Sequence, residues 1–309
     1  MAPARNKKIL FIAVKIVVSM LLLVVIFRKA GLENVLSHLS SIDPKYFLLA
    51  SLFYILASFV SALRWGMFLE ETFPVGKLFS LYMIGSFFNN ILPGVIGGDA
   101  VKIYYLYRDT KKGATSFGSV FMDRYIGFFA LLTIGLAAGI VAFHDLEKVG
   151  MQWIPLFLFA AFVAGSMAFF GLRMGSRFTA LANFYDYFHT SLKKKRVLLY
   201  TFLLSSIVQV LGIFAVFVIA LGIGQRLSLT ALFVFLPIII TVTTVPISIS
   251  GLGIREGAFV LLFGLIGIPP QVSTSISFLW FLSVAAMSLI GLVEYFRYKR
   301  NLQLADKPV

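Results

Sequence analysis

Apolar runs separated by short polar loops occupy almost the whole chain. A helix needs about 20 apolar residues to cross roughly 30 Å of hydrocarbon. Six runs reach that length: Ile9–Phe27, Tyr46–Leu69, Phe117–Phe143, Met151–Leu172, Val197–Gly222 and Val272–Glu294. The pattern predicts six full membrane spans. The first follows a basic N-terminus, as a signal peptide would, but no small-residue cleavage site follows it, so we expect it to be retained.

Two further apolar runs are shorter and end in proline and glycine. They are Leu78–Leu92, followed by Pro93 and Gly98, and Leu229–Val245, followed by Pro246 and Gly251. Proline ends a helix, and glycine permits the turn into the next one. Non-helical backbone at membrane depth requires protein or water to satisfy it. We therefore expect two re-entrant broken hairpins that border an internal cavity.

The two interrupted segments match each other at an offset of about half the chain. Pro93 aligns with Pro246 and Lys102 with Arg255, and the flanking spans align at the same offset. The predicted fold is an all-α integral membrane protein with six full spans and two hairpins, eight apolar segments in all. It forms one membrane domain over 1–309, with repeats at about 1–149 and about 150–309. Chance similarity of glycine-rich membrane turns is the alternative.

The positions of lysine and arginine predict the topology. If each hairpin leaves on the side it enters, most loop lysines and arginines share one side with both termini, including the sequences after Arg108 and Arg173. Such an excess marks the cytoplasmic side. Three full spans separate the hairpins, so they would enter from opposite faces as inverted repeats, a common layout among transporters. We expect a multi-pass protein of the cell membrane with cytoplasmic termini.

The loop at about 176–195 carries an amphipathic pattern. Phe178, Leu181, Tyr185, Phe188 and Leu192 recur at helical spacing before a basic cluster. This favours a helix lying in the cytoplasmic interface beside anionic lipid. An ordinary solvated connector is the alternative.

Composition excludes several other classes of protein. The chain is 60% hydrophobic and 13% charged, against about 25% charged residues in soluble domains. The net charge of +14 lies mainly in loops beside apolar runs, which argues against nucleic-acid binding. Cysteine is absent, and the three histidines are not spaced as metal ligands. We find no catalytic constellation and no ATP-binding motif, and we expect no metal, no cofactor and no enzyme activity.

The candidate site consists of the hairpin breaks and the charges inside apolar segments. Free N–H groups at the starts of the half-helices would attract an anion, and nearby lysine and arginine add full charge. Structural ion pairs between helices are the alternative, because buried charges need partners. The candidate substrate-binding residues are Arg64, Gly97, Gly98, Asp99, Lys102, Asp123, Arg124, Gly251, Arg255 and Glu256.

The motifs around these residues resemble the transmembrane domain of lysylphosphatidylglycerol synthases and its stand-alone relatives. The resemblance rests on Asn89 to Asp99, on Asp123-Arg124 and on Gly251 to Gly257, and it covers nearly the whole chain. It implies the part of those proteins that flips aminoacylated phospholipid between leaflets. The aminoacyl transfer belongs to a separate soluble domain, which we do not find in this sequence, so we expect translocation without synthase activity.

The sequence thus favours a flippase that moves a phosphate-bearing lipid headgroup through a basic cavity at the membrane midplane. Lys102 and Arg255 would hold the phosphate, with Arg64 and Arg124 assisting. The expected partners are a phospholipid or polyprenyl-phosphate lipid and the membrane, with a partner synthase or a second copy as further possibilities. The alternatives are an accessory membrane subunit and an intramembrane enzyme acting on lipid phosphates.

Overall fold

The structure of the chain is a computed structural model that describes residues 17, 19–26, 28–91, 97–172, 179–245, 248 and 251–305. Every regular element in these ranges is a helix. Residues 19–26 and 28–30 are helical, and twelve helices follow. They are α1 Leu32–Ser41, α2 Pro44–Gly66, α3 Val75–Ile91, α4 Gly97–Thr110, α5 Gly113–Val141, α6 Phe143–Lys148, α7 Ile154–Gly171, α8 Thr179–Lys193, α9 Lys195–Gly222, α10 Leu229–Thr244, α11 Ile254–Gly264 and α12 Pro270–Ala305.

Five of these helices, α2, α5, α7, α9 and α12, are long and apolar enough to cross a membrane. They coincide with five of the six predicted spans. Of the predicted span Ile9–Phe27, only residues 17 and 19–26 are described, and these are helical. A helix satisfies its own backbone hydrogen bonds, which is why long apolar runs take this form in lipid. The chain is an all-helical, multi-pass membrane protein.

The two short apolar segments each form a pair of short helices. The first pair is α3 and α4, and the second is α10 and α11. Pro93 and Gly94 between the first pair, and Pro246 and Ser250 between the second, lie outside the described residues. The helices on either side of each break are too short to span about 30 Å at 1.5 Å per residue.

In each pair, the start of the first helix lies close to the end of the second helix. Lys77, near the start of α3, lies 2.8 Å from Asp109, near the end of α4. At the second pair, Ser228 and Leu265 line one cavity of 570 Å³ together with Ala142, which follows the end of α5.

Lys112, just before α5, forms ion pairs with Glu70 and Glu71 near the end of α2. Its hydrogen bonds to Glu71 and Glu70 raise the pKa of Lys112.

The helices of the two halves pack against each other in a reciprocal pattern. α2 lies along α9, α3 packs on α12, and α10 packs on α5. Small residues permit the closest approaches. A Cβ atom at Gly291 of α12 would lie 2.0 Å from the backbone oxygen of Met83, and one at Gly135 of α5 would lie 2.8 Å from Pro237 of α10. Direct backbone packing of this kind is typical of membrane helices.

Helix α8 occupies Thr179–Lys193, within the predicted range 176–195. Its residues Phe184, Tyr185 and Phe188 are buried against protein, in a cluster with Met122 of α5 and Phe170 of α7. The side chain of Phe188 stacks on that of Phe170 at 3.5 Å between ring centroids. Much of the apolar face that we expected at the lipid interface is therefore covered by other helices.

Candidate functional site

Three adjoining cavities lie between the two halves of the chain, with volumes of 330, 540 and 350 Å³. Arg124 of α5 and Ile240 of α10 line all three. The remaining walls come from α2, α3, α4, α7, α9, α11 and α12. The three cavities together form one region, which we call the central cavity. It extends from the α3–α4 pair to the α10–α11 pair.

Arg124, Asp99 and Lys102 form the first charged cluster of the central cavity. The guanidinium of Arg124 donates from Nε to Asp99 Oδ2 at 2.8 Å and from Nη2 to Oδ1 at 3.2 Å. Lys102 Nζ lies 3.0 Å from Asp99 Oδ1 and 4.6 Å from the ring centroid of Tyr82. The side chain of Lys102 is only 3% exposed, whereas that of Arg124 is 45% exposed. Arg124 is therefore the cation of this cluster that a ligand can reach.

Arg64 and Asp123 form a second, fully enclosed ion pair. Arg64 donates from Nε to Asp123 Oδ1 at 2.7 Å and from Nη1 to Ser205 Oγ at 2.9 Å. Asp123 is completely buried, and its other oxygen, Oδ2, has no hydrogen-bond partner. Both residues line the 540 Å³ cavity. The pair joins α2, α5 and α9, so its direct role is to hold these helices together.

Arg255 and Glu256 form the third cluster, at the second hairpin. Ser277 of α12 accepts from Arg255 Nε at 3.1 Å and donates to Glu256 Oε1 at 3.1 Å. Arg255 Nε also donates to Glu256 Oε1 at 3.0 Å, and its guanidinium carbon lies 4.8 Å from the ring centroid of Phe281. Arg255 lines the 350 Å³ cavity together with Arg124. The structure thus brings Arg255 together with Arg124 of α5 at one cavity, whereas Lys102 lines the neighbouring 330 Å³ cavity and does not share a cavity with Arg255.

The starts of the two half-helices differ from the expected anion sites. Helix α4 begins at Gly97 as predicted, but the Gly98 N–H donates to Asn89 Oδ1 at 2.8 Å. Helix α11 begins at Ile254, three residues after Gly251. Its Gly253 N–H donates to Glu256 Oε2 at 2.6 Å. At α4 a side chain of the protein therefore occupies an N–H group, that of Gly98, which was expected to meet an anion, and at α11 a side chain occupies the N–H group of Gly253 next to the helix start, because buried donors must be satisfied.

The glycines at the breaks serve conformation and packing. Gly251 and Gly253 have φ angles of +76° and +84°. Residues that carry a Cβ atom rarely adopt this backbone conformation. Gly98 packs directly on Gly85, since a Cβ atom at Gly98 would lie 1.7 Å from the Gly85 carbonyl oxygen. Contact between these two glycines brings α3 and α4 together and positions Asp99 at the cavity.

Several residues that line the site or position its side chains were not predicted from the sequence. Tyr82, Gln209 and Trp280 line the cavities, and Gln209 Nε2 donates to the Gly127 carbonyl oxygen at 2.9 Å. Tyr82 and Trp280 are aromatic residues common in apolar helices, so their types gave no signal, whereas Gln209 is a polar residue within an apolar span and was detectable as such. Ser277 was detectable in principle, because the repeat offset that pairs Lys102 with Arg255 also pairs Arg124 with Ser277.

The described residues contain no group of three or more His, Asp or Glu side chains that could hold a metal ion. Four basic and three acidic side chains surround the central cavity or pair with its lining: Arg64, Lys102, Arg124 and Arg255, with Asp99, Asp123 and Glu256. One positive charge is left over, and Arg124 is the cation most open to a ligand.

The helices and the charged cavity define a class of multi-pass, all-helical membrane protein with an internal polar site. Residues 12–291 match the family described as "Lysylphosphatidylglycerol synthase TM region". The chain belongs to this family.

Similar proteins occur in archaea. A UPF0104 membrane protein of Methanothermobacter thermautotrophicus is 27% identical, covering 96% of this chain and 98% of its own length. Another of Methanocaldococcus jannaschii is 25% identical, with 93% and 95% covered. A third of Pyrococcus horikoshii is 25% identical, with 85% and 90% covered.

Proposed function

We propose that this protein moves a phosphate-bearing lipid headgroup between the two leaflets through the central cavity. The observation that carries the proposal is Arg124, a cation in the interior of the candidate span α5 with 45% of its side chain exposed to the cavities. A charge within the membrane is costly unless it is paired or hydrated. Arg124 is paired with Asp99 on one side and open on the other, which suits reversible binding of an anion.

The charge balance favours the same ligand. The cluster around the central cavity has one more basic than acidic side chain, so an anion would neutralise it. Phosphate accepts the fork of hydrogen bonds that arginine offers. We propose that Arg124 holds the phosphate, while Lys102 and Arg255, which are buried and paired with Asp99 and Glu256, set the positive potential. Phospholipids and polyprenyl-phosphate lipids both carry the required group.

We propose that the chain is a pair of inverted repeats, with eight apolar segments and hairpins that enter from opposite faces. The ends of the α3–α4 hairpin lie near Lys112, which precedes α5, and those of the α10–α11 hairpin lie near Ala142, which follows α5. The reciprocal packing of α3 on α12 and α10 on α5 supports the same arrangement. Inverted repeats give a natural means of exposing one site to each leaflet in turn.

We propose that both termini are cytoplasmic. With the α3–α4 hairpin returning to the side it enters, the basic stretches after Arg108 and after Leu192 fall on the same side as the end of α12. This placement follows the excess of lysine and arginine found in cytoplasmic loops.

We also propose a transporter rather than an enzyme, because the charged side chains around the cavity are engaged as ion pairs that can bind and release an anion.

The proposal is tested by leaflet-resolved quenching of headgroup-labelled lipids in proteoliposomes. Protein-containing vesicles should translocate a labelled anionic phospholipid faster than empty ones. Arg124→Gln should slow the process about tenfold or more, the effect of one lost hydrogen bond to a charged group. The matched control is Arg297→Gln, because Arg297 is 65% exposed and pairs with Glu294 outside the cavity lining. Equal rates in protein-containing and empty vesicles across several lipids would contradict the proposal.

A further inference from the structure

The lining of the 540 Å³ part of the central cavity combines charged and aromatic side chains, which we call its charged wall and its aromatic wall. One wall carries the charged side chains Arg64, Asp99, Asp123 and Arg124. The other is aromatic and is made by Phe121, Tyr125, Phe128 and Phe162. The charged wall suits a headgroup, whereas the aromatic wall offers a binding surface for hydrocarbon.

The two walls are joined on one face of α5. Arg124, Tyr125 and Phe128 lie three, four and seven residues after Phe121, which places all four along the same side of a helix. A ligand whose anionic group meets Arg124 therefore has aromatic surface directly beside it. That arrangement fits an amphipathic molecule better than a small soluble anion.

Helix α7 closes the aromatic wall from the membrane side. Its Phe162 ring lies 5.2 Å from the ring of Tyr125 and 5.4 Å from that of Phe128. Along α7, all of which is described, Pro155 and Phe170 are the only buried residues, while Phe157 and Met167 are about 70% exposed. The helix therefore lies between the cavity and the lipid.

Space for a hydrocarbon chain is present next to Phe162. Gly165 lies one turn further along α7, and a Cβ atom built there would meet no other atom within 4 Å. Gly165 is exposed, and Phe162 belongs to the cavity lining, so open outer surface of α7 lies one turn from the aromatic wall.

We propose that the surface between α5 and α7 at Phe128, Phe162 and Gly165 is an acyl-chain groove. It holds the first carbons of the hydrocarbon chain of a lipid whose anionic headgroup is at Arg124. The inference rests on the proposed function, because it takes the headgroup position from it. It adds that the hydrocarbon chain of the lipid extends from the cavity on the α7 side.

Site-specific photocrosslinking tests the groove. Benzoylphenylalanine would replace Phe162, or Phe157 as the matched lipid-facing control, in phosphatidylcholine vesicles containing alkyne-tagged phosphatidylglycerol or alkyne-tagged diacylglycerol. At position 162 the anionic lipid should be labelled about tenfold more than the neutral one, the selectivity of one charge-assisted hydrogen bond. Arg124→Gln should abolish that preference. Position 157 should label both lipids equally.

Equal labelling of the two lipids at position 162 would overturn the groove, even if translocation is observed. A preserved preference at position 162 in a protein that fails to translocate would support the groove while removing the transport function. The two outcomes therefore separate this inference from the proposed function.

A steric variant distinguishes a lipid from a soluble phosphate. Gly165→Phe fills the open position and should reduce the anionic-lipid labelling at position 162 about tenfold, because each buried methylene that is displaced weakens binding about fourfold. Binding of water-soluble glycerol phosphate should be unchanged. Ala164→Phe is the control, because Ala164 is exposed like Gly165 but lies two residues from Phe162, on the opposite side of the helix. If Gly165→Phe weakens glycerol phosphate as much as the lipid, or if Ala164→Phe has the same effect, the groove is wrong.

Discussion

At the scale of single residues, the Arg64–Asp123 pair shows what a charge inside the membrane requires. Arg64 is 4% exposed and Asp123 is fully buried, so neither can turn to water if its partner is removed. Arg64→Met should lower the free energy of unfolding by about 3–5 kcal/mol, because it leaves Asp123 as an uncompensated buried charge. The loss should appear as earlier thermal aggregation of the detergent-solubilised protein in size-exclusion profiles.

The double variant Arg64→Met with Asp123→Leu is the control for that prediction. It removes both charges and leaves apolar side chains of similar size, an exchange that is often neutral in a protein interior. It should therefore recover most of the lost stability. A double variant as unstable as the single one would show that the pair contributes more than mutual neutralisation. Because Asp123 Oδ2 has no hydrogen-bond partner, we do not expect the stability of the fold to require this carboxylate.

At the scale of helices, the first hairpin depends on the contact between Gly85 and Gly98. Gly98→Ala would place a methyl group 1.7 Å from the Gly85 carbonyl oxygen, so α3 and α4 must separate. Overpacking of this kind costs about 1–3 kcal/mol. Because Asp99 follows Gly98 directly, its hydrogen bonds to Arg124 should also be disturbed. We expect a less stable protein and slower translocation in the proteoliposome assay.

Gly76→Ala is the matched control for the hairpin prediction. Gly76 lies in the first turn of α3, and a Cβ atom there would meet nothing within 4 Å. Alanine is also the better helix former, by up to about 1 kcal/mol, so this variant should be neutral or slightly stabilised. If Gly98→Ala behaves like Gly76→Ala, the close packing of α3 on α4 would not determine the geometry of the site.

The helices themselves were largely predictable from the sequence, whereas their contacts were not. A run such as Val197–Gly222 can satisfy its backbone in lipid only as a helix, and α9 covers nearly the same residues. The starts of α4 and α11 were harder, because Asn89 accepts from the Gly98 N–H, which we expected to be free, and α11 begins three residues after Gly251, with Glu256 accepting from the Gly253 N–H. The partners of Arg64 required knowledge of which helices meet, since Asp123 and Ser205 lie far from it in the sequence.

At the scale of the whole molecule, the arrangement of the helices predicts which loops share a side of the membrane. Helix α5 has 29 residues, a length of about 43 Å, so its two ends lie on opposite faces. Lys111 precedes its start, and Lys148 follows its end. Lys193 ends α8, which packs against the first half of α5 through Met122. Lys111 and Lys193 should therefore lie together, opposite Lys148.

The absence of cysteine from the chain allows this topology to be measured directly. In intact right-side-out cells, a membrane-impermeant thiol reagent should label Lys148→Cys and leave Lys111→Cys and Lys193→Cys unlabelled until the membrane is opened. The parent protein, which has no thiol, is the control for background. Exposed charges such as that of Lys148, which is 75% exposed and paired with Asp145, tolerate substitution with little loss of stability. Labelling of Lys111→Cys from outside would mean that α3 and α4 cross the membrane, and the inverted arrangement around the central cavity would then be wrong.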